Sequence, residues 1–141
     1  MPLQSIVYAS EARSGLSSDE VDALTRAASR FNVEAGVTGV LLHDGLRFLQ
    51  YFEGPEDGVA VVYSRIVAAT SHRDIVELGR GRAAIRRFPF WAMRLVPVVS
   101  NDLRELIGLN WDGLRLYDAA PGGVGSALVQ LAGIATPEIQ G

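Results

Sequence analysis

The stretch VTGVLLHDGLRFLQYF, residues 37–52, places two apolar segments on either side of a tight-turn signal. Asp44-Gly45 is a dipeptide strongly favoured in β-hairpin turns. The apolar segment 37–43 before it predicts a buried strand, and the segment 48–52 after it predicts the return strand. The period of two gives this strand two faces, with Phe48, Gln50 and Phe52 on one and Leu49 and Tyr51 on the other. The stretch therefore predicts a β-hairpin with a glutamine on an otherwise aromatic face.

The sequence before the hairpin predicts a strand followed by a helix. Residues 3–9 have the alternation of a strand. A helix then begins at Ser17 or Ser18, because Ser17 and Glu20 have the spacing of a capping box, and Gly36 closes that region. The positions of this helix that are expected to face the core are Val21, Leu24, Ala28 and Phe31.

The sequence after the hairpin predicts a second helix and two more strands. Glu53-Gly54-Pro55 is expected to end the return strand, and a helix follows at residues 56–69. The apolar stripe of this helix consists of Val59, Val62, Tyr63, Ile66 and Val67. Strands are predicted at residues 74–84 and 91–98, with a turn at residues 86–89 between them. The order β-α-β-β-α-β-β predicts an α+β fold, a ferredoxin-like mixed sheet with two helices on one face.

The chain is expected to consist of a domain of residues 1–98 and a C-terminal helical extension of residues 99–141. Within the extension, residues 101–106 predict a short helix, residues 108–123 are irregular, and residues 126–134 predict an apolar helix. This last helix covers either the exposed face of the sheet or a partner subunit. A homo-oligomer is therefore one of two interpretations of the extension.

The composition removes several classes of function. Without cysteine, the chain cannot use a disulfide, a cysteine-ligated zinc, an iron–sulfur cluster or a thiol nucleophile. Because all 13 basic residues are arginine, it has neither a P-loop lysine nor a Schiff-base lysine. A total of 2 histidines argues against a His-rich metal site, and the net charge of -3 argues against a nucleic-acid partner. The lack of a signal-peptide pattern and of a long apolar run predicts a cytoplasmic protein with no membrane partner.

Three polar residues of the predicted core mark a candidate site. A buried Gln50 must satisfy two donors and two acceptor sites. It either bonds to neighbouring backbone or solvent, or is satisfied by a bound polar ligand. Tyr8 on the first strand is either a core tyrosine or a ligand contact. Asn32 is either a helix-ending residue, since asparagine tolerates the left-handed conformation, or a ligand contact.

Further candidates lie in the second half of the chain. Arg65 is either a surface arginine or a contact to phosphate, for which the guanidinium fork is well suited. His72 is either a loop residue or a ligand contact. Trp91 and Met93 are expected to alternate on one face of the last strand, as core residues do. The glycine-rich residues 122–125 follow no predicted strand, and no Ser-His-Asp arrangement is evident, so an enzyme is not expected.

Four segments together resemble one known family, the BLUF domains. Residues 6–10 (IVYAS) resemble the family's first strand, which carries its photoactive tyrosine. Residues 32–39 (NVEAGVTG) resemble its Asn followed by Gly-Ile/Val-Thr-Gly, and residues 48–54 (FLQYFEG) resemble its Phe-Leu-Gln-x-Leu-Glu-Gly strand. Residues 86–93 (RRFPFWAM) resemble its Arg-Arg-Phe-x-x-Trp-x-Met strand. The resemblance extends over residues 3–98.

The resemblance implies a blue-light photoreceptor that binds FAD, with FMN and riboflavin as alternative cofactors. It implies that Tyr8, Gln50, Trp91 and Met93 are the photoactive residues, and that light rearranges a Tyr–Gln–flavin hydrogen-bond network. The signal would pass to a downstream partner protein. The implied cofactor-binding residues are Tyr8, Leu24, Asn32, Gln50, Arg65, Ile66 and His72. Neither a metal nor a catalytic activity is implied.

Two other functions fit the predicted fold. One is a ferredoxin-like protein-interaction module that has lost its flavin, because Phe31 stands where the family often has a polar residue or a histidine. The other is an acylphosphatase-type hydrolase that uses an Arg and an Asn. No glycine-rich loop follows the first strand to support the hydrolase. Flavin loading and acyl-phosphate turnover separate the three functions.

Overall fold

The predicted hairpin is present and lies inside a five-stranded mixed sheet. The computed structural model describes residues 3–112, 114 and 126–135. Its elements, in chain order, are β1 (Leu3–Ala12), α1 (Ser18–Ala35), β2 (Thr38–His43), β3 (Arg47–Pro55), α2 (Glu56–Ala68), β4 (His72–Ala83), β5 (Arg94–Pro97), α3 (Ser100–Ile107) and α4 (Ser126–Ala135). The sheet order is β4-β1-β3-β2-β5, with antiparallel pairing except between β2 and β5, which run parallel. This is the predicted ferredoxin-like arrangement with one added strand.

Local signals explain where the first elements begin and end. In the hairpin, Asp44 Oδ1 accepts hydrogen bonds from the backbone N–H groups of Leu46 and Arg47, at 2.9 and 2.8 Å. In α1, Ser17 and Glu20 form the predicted capping box. The helix ends at Gly36, whose φ of +74° is left-handed. Asn32 therefore lies one turn inside the helix, and its interpretation as a helix-ending residue is wrong.

Helices cover both faces of the sheet. The first face packs against α1 and α2 through a cluster that includes Ile6, Tyr8, Val21, Val37, Leu41, Phe48, Phe52, Val59, Val62 and Met93. The second face packs against α3 and α4 through a cluster that includes Val7, Val40, Leu42, Leu49, Tyr51, Leu103, Leu106, Leu128 and Leu131. The apolar C-terminal helix thus covers the sheet of its own chain, which is one of its two predicted positions, and a homo-oligomer stays a prediction. The glycines at residues 122–125 lie outside the described residues.

Two expected strand boundaries are wrong. Glu53-Gly54-Pro55 does not end the return strand but belongs to β3, where it pairs with residues 3–5 of β1. The strand expected at residues 91–98 is confined to Arg94–Pro97. The reason is topological, because β4 and β5 lie at opposite edges of the sheet. Residues 84–93, which we call the crossover segment, must pass from one edge to the other before the chain can pair again.

Trp91 and Met93 do not share a strand face, contrary to the prediction. Both precede β5, and they pack on opposite sides of the sheet, Met93 toward α1 and α2 and Trp91 toward α3 and α4. The backbone of residues 91–93 is not paired in a strand ladder, and its carbonyl groups bond to individual groups of β2 and α1. Trp91 O accepts from Gly39 N at 2.9 Å, and the next two carbonyls accept from side chains of α1. Strand alternation applies only to extended, paired backbone, so it fails for this segment.

The helices α1 and α2 bury or partly bury most of their predicted apolar positions, but two of these predictions are wrong. Leu24 is 38% exposed and Val67 is 57% exposed. Leu24 lies beside a cavity between the helices, and Val67 lies in the last two residues of α2. Across the described part of the chain, none of the helices has the length and apolar character needed to cross a membrane.

Gly39→Ala is expected to destabilise the fold, because a Cβ there would lie 2.0 Å from Tyr51 O and 2.8 Å from Phe52 Cα. Both neighbours are backbone atoms of β3, so the two strands would have to separate. Overpacking costs about 1–3 kcal/mol in the free energy of unfolding, sometimes more. In the matched control Gly133→Ala, a Cβ meets nothing within 4 Å, and helix propensity predicts a gain of about 1 kcal/mol. Urea denaturation measures both, and a Gly39→Ala protein at least as stable as the unaltered one would show that the approach of β2 to β3 does not exclude a methyl group.

Candidate functional site

A cavity opens between α1, α2 and the first face of the sheet. It encloses about 730 Å³ of space between atoms, part of which is open to solvent. Its walls are mainly apolar. The polar side chains that line it are Tyr8, Asn32, Gln50, Arg65, Ser71 and His72. Leu24 and Ile66 also line it, so the fold brings together all seven residues predicted to bind a cofactor.

Tyr8 and Gln50 face this cavity from the middle of the sheet. They lie directly opposite each other in the antiparallel pair of β1 and β3, so their side chains share one face. The Tyr8 hydroxyl donates to Gln50 Oε1, and Gln50 Nε2 donates to Met93 Sδ at 3.4 Å. All three side chains are buried. The amide of Gln50 is thus bonded on both sides within the protein, and it retains a second N–H and a second lone pair for a ligand.

Burial keeps Tyr8 in its neutral form. Desolvation raises the pKa of Tyr8 well above its ordinary value, and the negative charge that Tyr63 would carry raises it further. The ring packs among other aromatic rings, with centroids 6.4 Å from Phe52, 6.3 Å from Tyr63 and 5.9 Å from His72. A phenol that loses an electron also tends to lose its proton, and Gln50 Oε1 is the acceptor already in place.

Asn32 and Gln50 converge on the same end of the cavity. Asn32 is 1% exposed, and its Nδ2 donates to Ala92 O at 2.8 Å. Ser29, on the same helix, donates from Oγ to Met93 O at 3.2 Å. Because Ala92 and Met93 are consecutive, α1 and Gln50 hold the same point of the crossover segment. The side chain of Asn32 retains one N–H and its carbonyl oxygen for a ligand.

Arg65 and His72 lie on the α2 side of the cavity. The Arg65 guanidinium lies 4.6 Å from the centroid of the Phe31 ring, and no carboxylate among the described residues pairs with it. His72 Nε2 donates to Ile66 O at 2.9 Å, and its Nδ1 bonds with Ser10 Oγ at 2.7 Å. A carbonyl oxygen only accepts, so Nε2 carries the proton. His72 therefore lines the cavity with its ring, while the guanidinium donors of Arg65 face no competing carboxylate.

The residues present fit a flavin. An isoalloxazine ring is flat, apolar at its dimethylbenzene end and polar along its carbonyl and nitrogen edge. The cavity offers both kinds of contact, with mainly apolar walls and with the amides of Asn32 and Gln50, which bond to the consecutive residues Ala92 and Met93. Arg65 suits a phosphate group. In the part of the chain that the structure describes, no group of three or more His, Asp or Glu side chains could hold a metal ion.

Sequence reasoning missed several residues that position the site. Ser10 and Ser29 support His72 and the crossover segment, and no pattern distinguishes them from other serines. Glu53 is fully buried on the second face of the sheet, where it accepts hydrogen bonds from Tyr51 and from the backbone of the crossover segment. The period of two would have found Glu53 if the return strand had been extended beyond residue 52.

Comparison with known proteins places the chain in a family. Residues 3–94 match the family described as BLUF, sensors of blue-light using FAD. The chain is 36% identical over 110 residues to the blue light- and temperature-regulated antirepressor BluF of Escherichia coli (strain K12), which covers 78% of this chain and 27% of that protein. It is 33% identical over 87 residues to photoactivated adenylate cyclase subunit beta of Euglena gracilis, covering 62% of this chain and 10% of that protein. The chain thus spans about a quarter or less of the length of these curated relatives.

Two solved structures match over almost their full length. A dark-state structure of BlrB, a BLUF protein, has a TM-score of 0.69 and 30% identity, covering 92% of this chain and 95% of that chain. The BLUF structure of BlrP1 has a TM-score of 0.69 and 31% identity, covering 96% of this chain and 91% of that chain. The family match includes β1, which carries Tyr8, and β3, which carries Gln50. This chain therefore belongs to the BLUF family of blue-light sensors that use a flavin.

Proposed function

We propose that this blue-light photoreceptor binds FAD with the isoalloxazine ring in the cavity, against Tyr8 and Gln50. The observation that carries the proposal is the buried hydrogen-bonded chain Tyr8–Gln50–Met93, which borders the cavity. The central member of this chain is an amide, which presents a donor and an acceptor from one position. The donor and acceptor sides of this amide can be exchanged without moving the backbone, which is what a light-driven switch of this kind requires.

Blue light makes a bound flavin a strong oxidant, and this is the chemistry that the cofactor supplies. Tyr8, neutral and donating to Gln50 Oε1, gives up an electron and passes its proton along that hydrogen bond. Gln50 then rotates or tautomerises, so that its donor and acceptor sides are exchanged. When the electron and proton return to Tyr8, the altered Gln50 keeps the new pattern of hydrogen bonds.

Met93 gives the two states of Gln50 different contacts. Gln50 Nε2 donates to Met93 Sδ at 3.4 Å, whereas a rotated amide would direct Oε1 at the same sulfur. A thioether has no proton to donate, so the rotated state loses this contact. A switch needs such a difference in contacts between its states. The loss would release the Met93 side chain, two residues from Trp91, while the hydrogen bond from Ser29 to Met93 O remains.

The choice of FAD over FMN or riboflavin depends on contacts beyond the ring. We propose that Asn32 bonds to a ring carbonyl, and that Leu24 and Ile66 pack against the flavin. Arg65 contacts the phosphate side of the ribityl chain, and His72 supports that side with its ring. The support for this arrangement is that all of these residues line one cavity, with Asn32 buried and Arg65 exposed.

The output is proposed to pass to a separate signalling protein, with no catalysis by this chain. Antirepressor and adenylate cyclase activities are named for relatives that this chain matches over 27% and 10% of their length. We propose residues 1–98 as the flavin-binding domain and residues 99–141 as the extension that the partner contacts. In support, α3 and α4 pack against the same core cluster as Trp91.

Tyr8→Phe is expected to bind flavin but to lose the reversible red shift of the flavin absorption after blue light, because the electron and proton donor is gone. Gln50→Leu should lose the shift for lack of a reversible amide. Tyr63→Phe is the matched control, since Tyr63 packs 6.3 Å from Tyr8 without lining the cavity, and it should keep the shift. Absorption spectra in the dark and directly after illumination measure all three. A full shift in Gln50→Leu would exclude the mechanism.

The same spectra of the unaltered protein test the alternatives. Bound flavin without any shift would mean a flavoprotein whose switch is broken. If no flavin binds even after reconstitution with excess FAD, the chain is an interaction module that has lost its cofactor.

Arg65→Gln is expected to weaken the binding of FAD and FMN by about tenfold or more, since hydrogen bonds to charged groups contribute about 1.5–3 kcal/mol and 1.4 kcal/mol is tenfold. Riboflavin, which has no phosphate, should bind equally to both proteins. Arg104→Gln, on α3 at the second face of the sheet, is the matched control and should change none of the three affinities. Quenching of flavin fluorescence measures each Kd. An equal loss for riboflavin would place Arg65 at the ring instead of the phosphate.

A further inference from the structure

Glu53 is a buried carboxyl group on the side of the sheet away from the cavity. It is 0% exposed and lies on the same face of β3 as Leu49 and Tyr51. Its Oε1 accepts from the Tyr51 hydroxyl at 2.8 Å, and its Oε2 accepts from the backbone N–H of Phe88 at 2.6 Å. Burial and then the Glu53 charge raise the pKa of Tyr51, so its hydroxyl stays protonated as a donor. Burying a carboxyl group costs free energy that its bonds only offset, so its position calls for a structural reason.

The bond to Phe88 ties Glu53 to the crossover segment. Arg86 also fixes this end of the segment, because its guanidinium donates to Gly36 O at 2.7 Å and to Thr38 Oγ1 at 2.9 Å. At the other end of the segment, Met93 is bonded to Gln50 and to α1. The crossover segment is thus held at its Phe88 end from the second face of the sheet and at its Met93 end from the cavity.

Aromatic rings connect the segment to α3. The ring of Phe88 packs edge-on against Tyr51 at 5.5 Å and stacks on Trp91 at 5.9 Å. Tyr51, Phe88 and Trp111 belong to the core cluster of the second face, and Trp91 packs against that cluster. Trp111 Nε1 donates to Leu106 O of α3 at 2.9 Å. Trp91 and α3 thus pack against one cluster, and a displacement of Trp91 reaches α3 through the members of that cluster.

We propose that Glu53 is a positioning residue that makes the Phe88 end of the crossover segment a fixed pivot. With the Phe88 N–H held, a change at Met93 moves only the part of the segment that carries Trp91, and Trp91 moves against a stationary Phe88 ring. Without the pivot the whole segment shifts, and the change is absorbed before it reaches α3. This inference rests on the proposed light-driven change at Gln50, and it adds how that change crosses the sheet.

The 2 tryptophans of the chain provide the test. In ¹⁵N-labelled, FAD-loaded protein they give separate indole N–H signals in an NMR spectrum, which Trp91→Phe assigns. Illumination of the unaltered protein is expected to displace the Trp111 signal reversibly. Glu53→Leu removes both acceptor oxygens and keeps a comparable volume. It is expected to keep the light-induced absorption shift and to lose the displacement of the Trp111 signal.

Two further variants separate the pivot from general packing. Glu53→Gln keeps an oxygen that can accept from the Phe88 N–H and is expected to restore the displacement. Glu11→Leu removes an acid of β1 whose side chain is 54% exposed and is expected to behave like the unaltered protein. A folded Glu53→Leu protein with an undiminished Trp111 displacement overturns the proposal, as does its loss in Glu11→Leu.

Amide hydrogen exchange of the unaltered protein tests the pivot even if Glu53→Leu does not fold. The Phe88 N–H should be equally protected in darkness and in light. The Gly39 N–H, which donates to Trp91 O at 2.9 Å, should exchange faster in light. Light-induced loss of protection at Phe88 would overturn the proposal. A missing absorption shift in the unaltered protein would instead refute the proposed function, so the two failures are distinguishable.

Discussion

The hydrogen bond between Tyr8 and Gln50 constrains the rest of the structure. It requires β1 and β3 to be neighbours with Tyr8 directly opposite Gln50. A slip of one residue would turn every side chain of a strand to the other face. The strands are held in register because both faces of the sheet are buried, by α1 and α2 on one side and by α3 and α4 on the other. The site therefore depends on both helical layers, although only the first of them forms the cavity.

The strand β3 places one polar side chain in each core, and each of the two bonds to a tyrosine hydroxyl and to the crossover segment. On the cavity face, Gln50 bonds to a tyrosine of β1 and to Met93. On the second face, Glu53 bonds to Tyr51 and to Phe88. Both polar groups thus hold the crossover segment, five residues apart, from opposite sides of the sheet. Like the strands, this segment contributes side chains to both cores, Phe88 to the second face and Met93 to the cavity face.

The elements that could be predicted are those whose signals are local. The hairpin turn at Asp44, the capping box at Ser17 and the apolar period of each helix depend on residues within a few positions of one another. The seven candidate contacts also fall around one cavity. Alternation along two strands accounts for Tyr8 and Gln50, whereas the full set is implied by the resemblance to the BLUF family. The opposite orientations of Trp91 and Met93 could not be predicted in this way. They follow from the sheet order, which sends the chain from one edge to the other, and no local pattern encodes that order.

The difference between an amide and a carboxyl group explains why the contact of Gln50 with the crossover segment can change while that of Glu53 stays. The Gln50 amide uses its oxygen toward Tyr8 and its nitrogen toward Met93, so a half-turn exchanges a donor for an acceptor and alters both contacts. The two oxygens of Glu53 both accept, so a half-turn exchanges like for like and alters neither. A closely packed interior resists continuous deformation. A change at the amide therefore moves the residues between Phe88 and Met93, and among them Trp91 is the large side chain that packs against a core.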